Sequence, residues 1–139
     1  MSALAPSLVA ASAGIIFLLG LMHLAYTFRG RMLHPRDAEL EAEMKDVSPV
    51  ITRQTTMWKA WIGFNASHSF GALLFGAVYG YLAIVHSALL FQSLFLQSVG
   101  LALLGGYLFL GKTYWFSVPF RGIVLASALY LAALVAAWT

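Results

Sequence analysis

The chain has 139 residues, of which 61% are hydrophobic and only 9% are charged, and its mean hydropathy is +0.84. A soluble domain carries about 25% charged residues, so this composition excludes that class and indicates an integral membrane protein. The absence of cysteine excludes disulfides, thiolate metal sites and cysteine nucleophiles. The net charge of +3 does not point to nucleic acid, because the basic residues border apolar segments.

The first apolar segment, about residues 5–28, is long enough to cross a bilayer, at roughly 20 residues per helical crossing. It lacks the basic start of a cleaved signal peptide, so we expect it to stay in the protein. The loop 29–56 that follows contains the only substantial polar stretch. We expect this loop to offer the only docking surface of useful size outside the membrane.

Within that loop, His34-Pro35-Arg36-Asp37 is typical of a helix start. Apolar residues then recur at helical spacing, with acidic residues between them: Leu40, Met44 and Val47 against Glu39, Glu41, Glu43 and Asp46. This pattern predicts a short amphipathic helix on the membrane surface, whose acidic side is solvated. Ser48-Pro49 is predicted to begin a further helix that can continue into the second span.

Three more apolar segments follow, at about residues 57–85, 88–111 and 118–138. His86-Ser87 alone separates the first two of these, which predicts an antiparallel hairpin with Ser87 as the N-cap. The chain is therefore predicted to be one membrane domain over residues 1–139. Its fold class is an all-α, four-helix antiparallel transmembrane bundle, with a short amphipathic cytoplasmic segment between the first two spans.

The charged residues predict the orientation in the membrane. All eight Lys and Arg residues lie in loop 29–56, in loop 112–117 or at the helix ends beside them. Because positive residues collect on the cytoplasmic side, both loops are expected there. The two chain termini are then expected on the opposite side.

One face of the second span is polar. A helix turns by about 100° per residue, so one face collects Gln54, Trp61, Asn65, His68, Ser69, Ala72 and Gly76. Phe70 and Leu74 fall on the opposite side. Small and polar residues on a membrane helix allow close approach and hydrogen bonds to a neighbouring helix, so we expect this face to contact protein.

Other spans supply partners for that face. His23 on the first span lies at a depth similar to that of His68, and Gln97 is a polar residue of the third span. We predict an inward cluster of Asn65, His68, Ser69, His23 and Gln97. Trp61 and Tyr26 are further candidates for contact with a ligand.

Three interpretations of this cluster stay open. The polar groups can hold helices together without further chemistry. They can line a pocket that binds, and even converts, a lipid-like or quinone-like molecule, with His68 as acid or base and Asn65 or Tyr26 as its partner. Finally, His23 and His68 could ligate haem b. No span contains Asp or Glu, which excludes a two-carboxylate mechanism and the carboxylate that commonly couples proton transport. We assign no catalytic residue, and no metal or cofactor apart from the haem alternative.

The run from Trp58 to Gly71, Trp-x-Ala-Trp-Ile-Gly-Phe-Asn-x-Ser-His-Ser-x-Gly, follows His34-Pro35-Arg36-Asp37. Together these motifs resemble a group of small, uncharacterised bacterial four-span membrane proteins. The resemblance implies a bacterial inner membrane and supplies no activity. Size and span count are also similar to the eicosanoid and glutathione membrane-enzyme family, but the charged Arg-x-His-x-Asn pattern of that family is not found here.

The sequence thus predicts a small, non-catalytic membrane protein. We expect an accessory or assembly subunit, or a homo-oligomer, packed through a buried Asn/His face. Its expected partners are membrane lipids and further copies or a larger membrane complex. The ligand pocket at Asn65 and His68 is the first alternative, and haem b is the second.

Overall fold

The computed structural model describes residues 4–138, and this part of the chain is helical without any β-strand. Four of its helices are long and apolar enough to cross a membrane, as a multi-pass membrane protein requires. The predicted fold class, an all-α bundle of four spans, is confirmed. The helices are α1 (Leu4–Phe28), α2 (Ala38–Asp46), α3 (Met57–Val85), α4 (Ser87–Gln92), α5 (Leu94–Tyr114) and α6 (Ser117–Trp138).

The contacts divide the chain into two compact units. The first contains the start of α1, up to Leu19, and the chain from Ala72 onward; the second is Gly20–Gly71. In the first unit, α5 packs against α6, and the two-residue connection Trp115-Phe116 makes them antiparallel neighbours. The second unit holds the end of α1, the loop with α2 and the start of α3.

Small residues bring helices close together in the first unit. A Cβ atom added at Gly76 of α3 would lie 2.8 Å from the carbonyl oxygen of Ala13 and 2.9 Å from the Cα atom of Phe17, both on α1. The Ser12 hydroxyl of α1 donates a hydrogen bond of 2.7 Å to the carbonyl oxygen of Ala126 on α6. These contacts involve backbone atoms. There is therefore no room for larger side chains where α1 crosses α3 and α6.

Two buried tyrosines fasten α5 in the same unit. The Tyr79 hydroxyl donates to the carbonyl oxygen of Leu96 at 2.6 Å, and the Tyr130 hydroxyl donates to that of Gln97 at 3.3 Å. Their rings lie against Gly100, where an added Cβ would sit 2.9 Å from the Tyr79 ring. The glycine therefore makes space for the rings that hold α5.

The third predicted span is not one helix. It begins as α4, breaks at Ser93 and resumes as α5, whose first turn is capped by the Ser93 hydroxyl accepting from the Leu96 amide. The predicted N-cap at Ser87 is also wrong, because His86 occupies that position and makes no capping bond with its side chain. The Gln97 amide nitrogen donates to the Phe91 carbonyl at 2.8 Å, so a side chain compensates a carbonyl left open by the break.

The short helix α2 begins beside the predicted motif, at Ala38, so Asp37 is its N-cap and Pro35 lies before the helix instead of within its first turn. The carboxylate of Asp37 accepts from the Glu39 amide at 2.9 Å, as an N-cap does. One acidic residue departs from the expected pattern, however. Glu41 is 8% exposed, whereas the apolar Leu40 is 48% exposed. The acidic side is therefore not uniformly solvated, because Glu41 pairs with the basic side chains of Arg31 and Lys45.

The predicted helix at Ser48-Pro49 is wrong. The Thr52 amide instead donates to the Pro49 carbonyl in a turn, and α3 begins only at Met57. Consecutive β-branched residues after Pro49 disfavour a helix. The Thr56 hydroxyl accepts from the Lys59 amide at 3.3 Å, which is a capping bond at the helix start.

Candidate functional site

The structure separates the predicted polar face of α3 into a buried part and an exposed part. Asn65, Ser69, Ala72 and Gly76 are buried, while Phe70 and Leu74 on the other side are exposed. Gln54 lies before the helix begins and is exposed. The helical spacing therefore located the face correctly from Asn65 onward, but it extended the face too far towards the loop.

Asn65 is the centre of a short chain of hydrogen bonds, which we call the amide network. Its side-chain nitrogen donates to the Trp61 carbonyl at 2.8 Å, one turn earlier in α3. Its side-chain oxygen lies 3.0 Å from Nε2 of His23 on α1. The side chain therefore connects α1 to α3 and uses its amide donor and its carbonyl acceptor within the protein.

This geometry also fixes a proton on His23. Because the amide nitrogen of Asn65 faces a carbonyl that can only accept, its side-chain oxygen must face His23. An oxygen acceptor requires Nε2 of His23 to carry hydrogen.

His68 lies beside this network. Its ring meets the His23 ring edge to face, with 5.2 Å between the ring centres and an interplanar angle of 82°. Ser69 is fully buried and donates to the Asn65 carbonyl at 2.9 Å, within its own helix. Thr27 does the same on α1, donating to the His23 carbonyl at 2.8 Å. Each hydroxyl thus donates its hydrogen bond to a carbonyl of its own helix and does not point into an open site.

The other predicted members serve different purposes. Gln97 belongs to the first unit and donates to carbonyls at the end of α4. Trp61 is 40% exposed, and its indole nitrogen donates to the Leu33 carbonyl at 3.0 Å. Tyr26 is 38% exposed on α1. The structure therefore joins His23, His68, Asn65 and Ser69, and it gives Gln97 and Trp61 separate partners.

The paired histidines do not have the arrangement that haem needs. A metal holds an imidazole nitrogen at about 2 Å, so two imidazoles on opposite sides of one iron would have ring centres roughly 6 Å apart, with a porphyrin between them. The rings of His23 and His68 are closer than this and contact each other directly. In addition, Nε2 of His23 is already bonded to Asn65. Among residues 4–138, no group of three or more His, Asp or Glu side chains could hold a metal ion.

A second polar cluster, which the sequence did not predict, lies in the loop. The carboxylate of Glu41 contacts Lys45 at 2.6 Å and both Arg31 and His34 at 3.1 Å. We call these four residues the Glu41 cluster. Hydrogen bonds from Lys45 and His34 hold the pKa of the Glu41 carboxyl below its usual range. The only sequence signal for this cluster was the i,i+4 spacing of Glu41 and Lys45.

The Glu41 cluster is joined to α3 through one aromatic side chain. The His34 ring meets the Trp58 ring at 4.7 Å between centres, and the Lys45 ammonium lies 5.2 Å from the centre of the same ring. The Val47 carbonyl also accepts from the Met57 amide at 2.8 Å. These contacts attach α2 and its neighbouring loop to the first turn of α3.

One shallow cavity, of about 390 Å³, lies elsewhere, in the first unit. Small and aliphatic side chains line it, together with two serines: Pro6, Ser7, Ala10, Ala83, Ile84 and Ser87. None of the predicted ligand-binding residues contributes to it. The cavity therefore offers no support for a ligand at Asn65 and His68.

Comparison of the chain with protein-family models, with curated proteins and with solved structures finds no match.

Proposed function

We propose that the chain is a non-catalytic multi-pass membrane protein of the bacterial inner membrane. It acts as an accessory or assembly subunit, or as a homo-oligomer, and the amide network fixes how α1 and α3 pack. One observation carries the proposal: Asn65 uses its side-chain donor and acceptor on Trp61 and His23. Asn65 is also buried, and a polar group bonded in this way between two helices holds their packing together.

The free energy of the bond between His23 and Asn65 is small, so we expect the bond to select one packing of α1 against α3 more than to stabilise the fold. Hydrogen bonds between membrane helices contribute about 0.6 kcal/mol on average and at most about 1–2 kcal/mol. An amide that slides into lipid and finds no partner costs several kcal/mol. The bond between His23 and Asn65 therefore penalises every register of α1 against α3 that would separate them.

The outer surface suits association within the membrane. Large apolar side chains such as Phe64, Ile84 and Phe95 are more than 70% exposed, as residues facing lipid or a partner helix are. Gly105 and Gly106 on α5 have no atom within 4 Å of an added Cβ, unlike Gly76 and Gly100. Small residues on an open face allow another membrane helix to approach closely, which supports an oligomer or a larger complex.

The charge distribution supports the orientation proposed with this function. Every Lys and Arg lies in loop 29–56, in the α5–α6 connection or at a helix end beside them. We place these loops in the cytoplasm and both termini outside. Single cysteines at Ala42 and His86 would test this in intact cells, because the natural chain has no cysteine. A membrane-impermeant maleimide should label the variant at position 86 and spare the one at position 42.

The function is tested by native mass spectrometry of the protein in mild detergent, with Asn65→Leu as the variant. Ser67→Ala is the matched control, since the exposed Ser67 bonds only to the Phe64 carbonyl of its own helix. We expect wild type and Ser67→Ala to keep the same oligomer or protein partner, and Asn65→Leu to lose stability and part of that assembly. A small bound molecule that Asn65→Leu releases, with the thermal stability unchanged, would instead establish the ligand pocket.

A further inference from the structure

The loop between α2 and α3 carries two apolar side chains at its tip. Val50 is fully exposed and Ile51 is 91% exposed, more than any other large hydrophobic residue among residues 4–138. They are the central residues of the turn that the Thr52 amide closes on the Pro49 carbonyl at 3.2 Å. Such positions ordinarily hold Gly, Asn, Asp or Ser. An adjacent pair of bare aliphatic side chains there requires an apolar environment.

The fold keeps this tip near the membrane. The hydrogen bond from the Met57 amide to the Val47 carbonyl, 2.8 Å long, closes residues 48–56 into a loop at the first residue of α3. Half of so short a loop, fully extended, reaches roughly 15 Å. Because α3 is a membrane-span candidate, the tip cannot leave the neighbourhood of the interface where that span begins.

The charges around the tip complement an anionic lipid surface. Arg53 follows the turn and is exposed, and Lys59 is exposed in the first turn of α3. No Asp or Glu occurs after Asp46 anywhere in the chain. The segment from residue 47 to residue 59 therefore carries two positive charges and no negative charge, and basic residues next to a span attract the anionic cytoplasmic leaflet.

We propose that this turn is an interfacial anchor for anionic lipid. Val50 and Ile51 insert into the boundary between headgroups and acyl chains, beside the start of α3, while Arg53 and Lys59 contact lipid phosphates. Apolar insertion and attraction to anionic headgroups reinforce each other in such anchors. The anchor holds the start of α3 at a fixed depth in the membrane. It thereby also positions Trp58, whose ring contacts His34 and Lys45 of the Glu41 cluster.

The test uses a fluorophore sensitive to polarity on a single cysteine at Ile51, with the full chain in nanodiscs. One set of discs contains phosphatidylcholine alone, and the other contains an equimolar mixture with phosphatidylglycerol. Ala42→Cys on the exposed side of α2 reports the aqueous limit, and Phe64→Cys on the exposed face of α3 reports the lipid limit. Two quenchers are compared, iodide in the water and a nitroxide attached to the lipid chains.

We expect the label at position 51 to lose its sensitivity to iodide and to be quenched by the lipid nitroxide, as the label at position 64 is. Its emission should shift to shorter wavelength, and Arg53→Gln should reduce that shift in the anionic discs. Iodide quenching equal to that at position 42 in both discs would overturn the proposal. Protection from both quenchers would overturn it as well, because it would show that a protein covers the turn.

Discussion

Two glycines of α3 should respond in opposite ways to the same substitution. A Cβ atom added at Gly76 would fall 2.5 Å from the Cβ atom of Phe17 and 2.8 Å from the Ala13 carbonyl oxygen. Because one of these neighbours is backbone, α1 and α3 must move apart to accept the methyl group. At Gly63 an added Cβ meets nothing within 4 Å.

The magnitudes follow from the general costs of these changes. Overpacking costs about 1–3 kcal/mol, whereas replacing an exposed glycine inside a helix by alanine gains about 0.5–1 kcal/mol. Since both sites are inside one helix, the propensity gain is common to both and cancels in their difference. We expect Gly76→Ala to lower the free energy of unfolding, Gly63→Ala to raise it slightly, and the two variants to differ by about 1–3 kcal/mol.

The assay is reversible unfolding in mixed micelles, followed by circular dichroism, on wild type and both variants. A Gly76→Ala protein as stable as Gly63→Ala would refute the close approach of α1 to α3 at Ala13. The double substitution Gly76→Ala with Phe17→Ala keeps all of these contacts, because alanine retains the Cβ atom at position 17 and the Ala13 carbonyl oxygen is unchanged. It should therefore be no more stable than Gly76→Ala alone.

Three further predictions concern the polar groups. Asn65→Leu should lower the free energy of unfolding by about 1–3 kcal/mol, because it leaves the half-buried Nε2 donor of His23 without its acceptor. Ser67→Ala, measured in the same denaturation series, should stay within about 0.5 kcal/mol of wild type. Acid should loosen the loop, since the Glu41 pKa is lowered from 4.5: its contribution is complete above that value and is lost as the pH falls through the folded-state pKa. Protection factors of the α2 amides, corrected for the intrinsic exchange rate at each pH, should therefore fall on acidification in wild type beyond the change seen in Glu41→Gln. Trp61→Phe removes the indole bond to Leu33 and should cost about 0.5–1.5 kcal/mol in the same denaturation assay, and an unchanged midpoint would argue against that bond.

The sequence predicted those parts of the fold that depend on averages over many residues. Span number and approximate bounds follow from long apolar runs, and the buried side of α3 from Asn65 to Gly76 follows from helical periodicity. The approximate start of α2 beside Asp37 was predictable because residues at a helix start act locally, on amides two or three residues away. None of these features requires knowledge of which helix is adjacent.

The errors fall where a contact between distant segments decides the structure. The acidic side of α2 looked solvated because the partners of Glu41 come from outside that helix as well as from Lys45 within it. Gln97 looked like a partner for the polar face of α3, but because the helix breaks at Ser93 it bonds to the open carbonyls of α4 instead. Composition and periodicity record neither a helix break nor the partner of a single polar atom.

The amino-acid sequence by itself thus determined that this protein is an all-α chain with four membrane-span candidates, because burial of apolar length in lipid depends on composition alone. It also determined that Asn65 and Ser69 lie on one side of α3. Only the tertiary structure decided that the Asn65 amide bonds to His23, that the two histidines meet edge to face, and that Glu41 bonds to Arg31, His34 and Lys45. The reason is physical: a hydrogen bond or an ion pair needs atoms within about 3 Å of each other, and folding alone brings residues as distant in the chain as His23 and Asn65 that close.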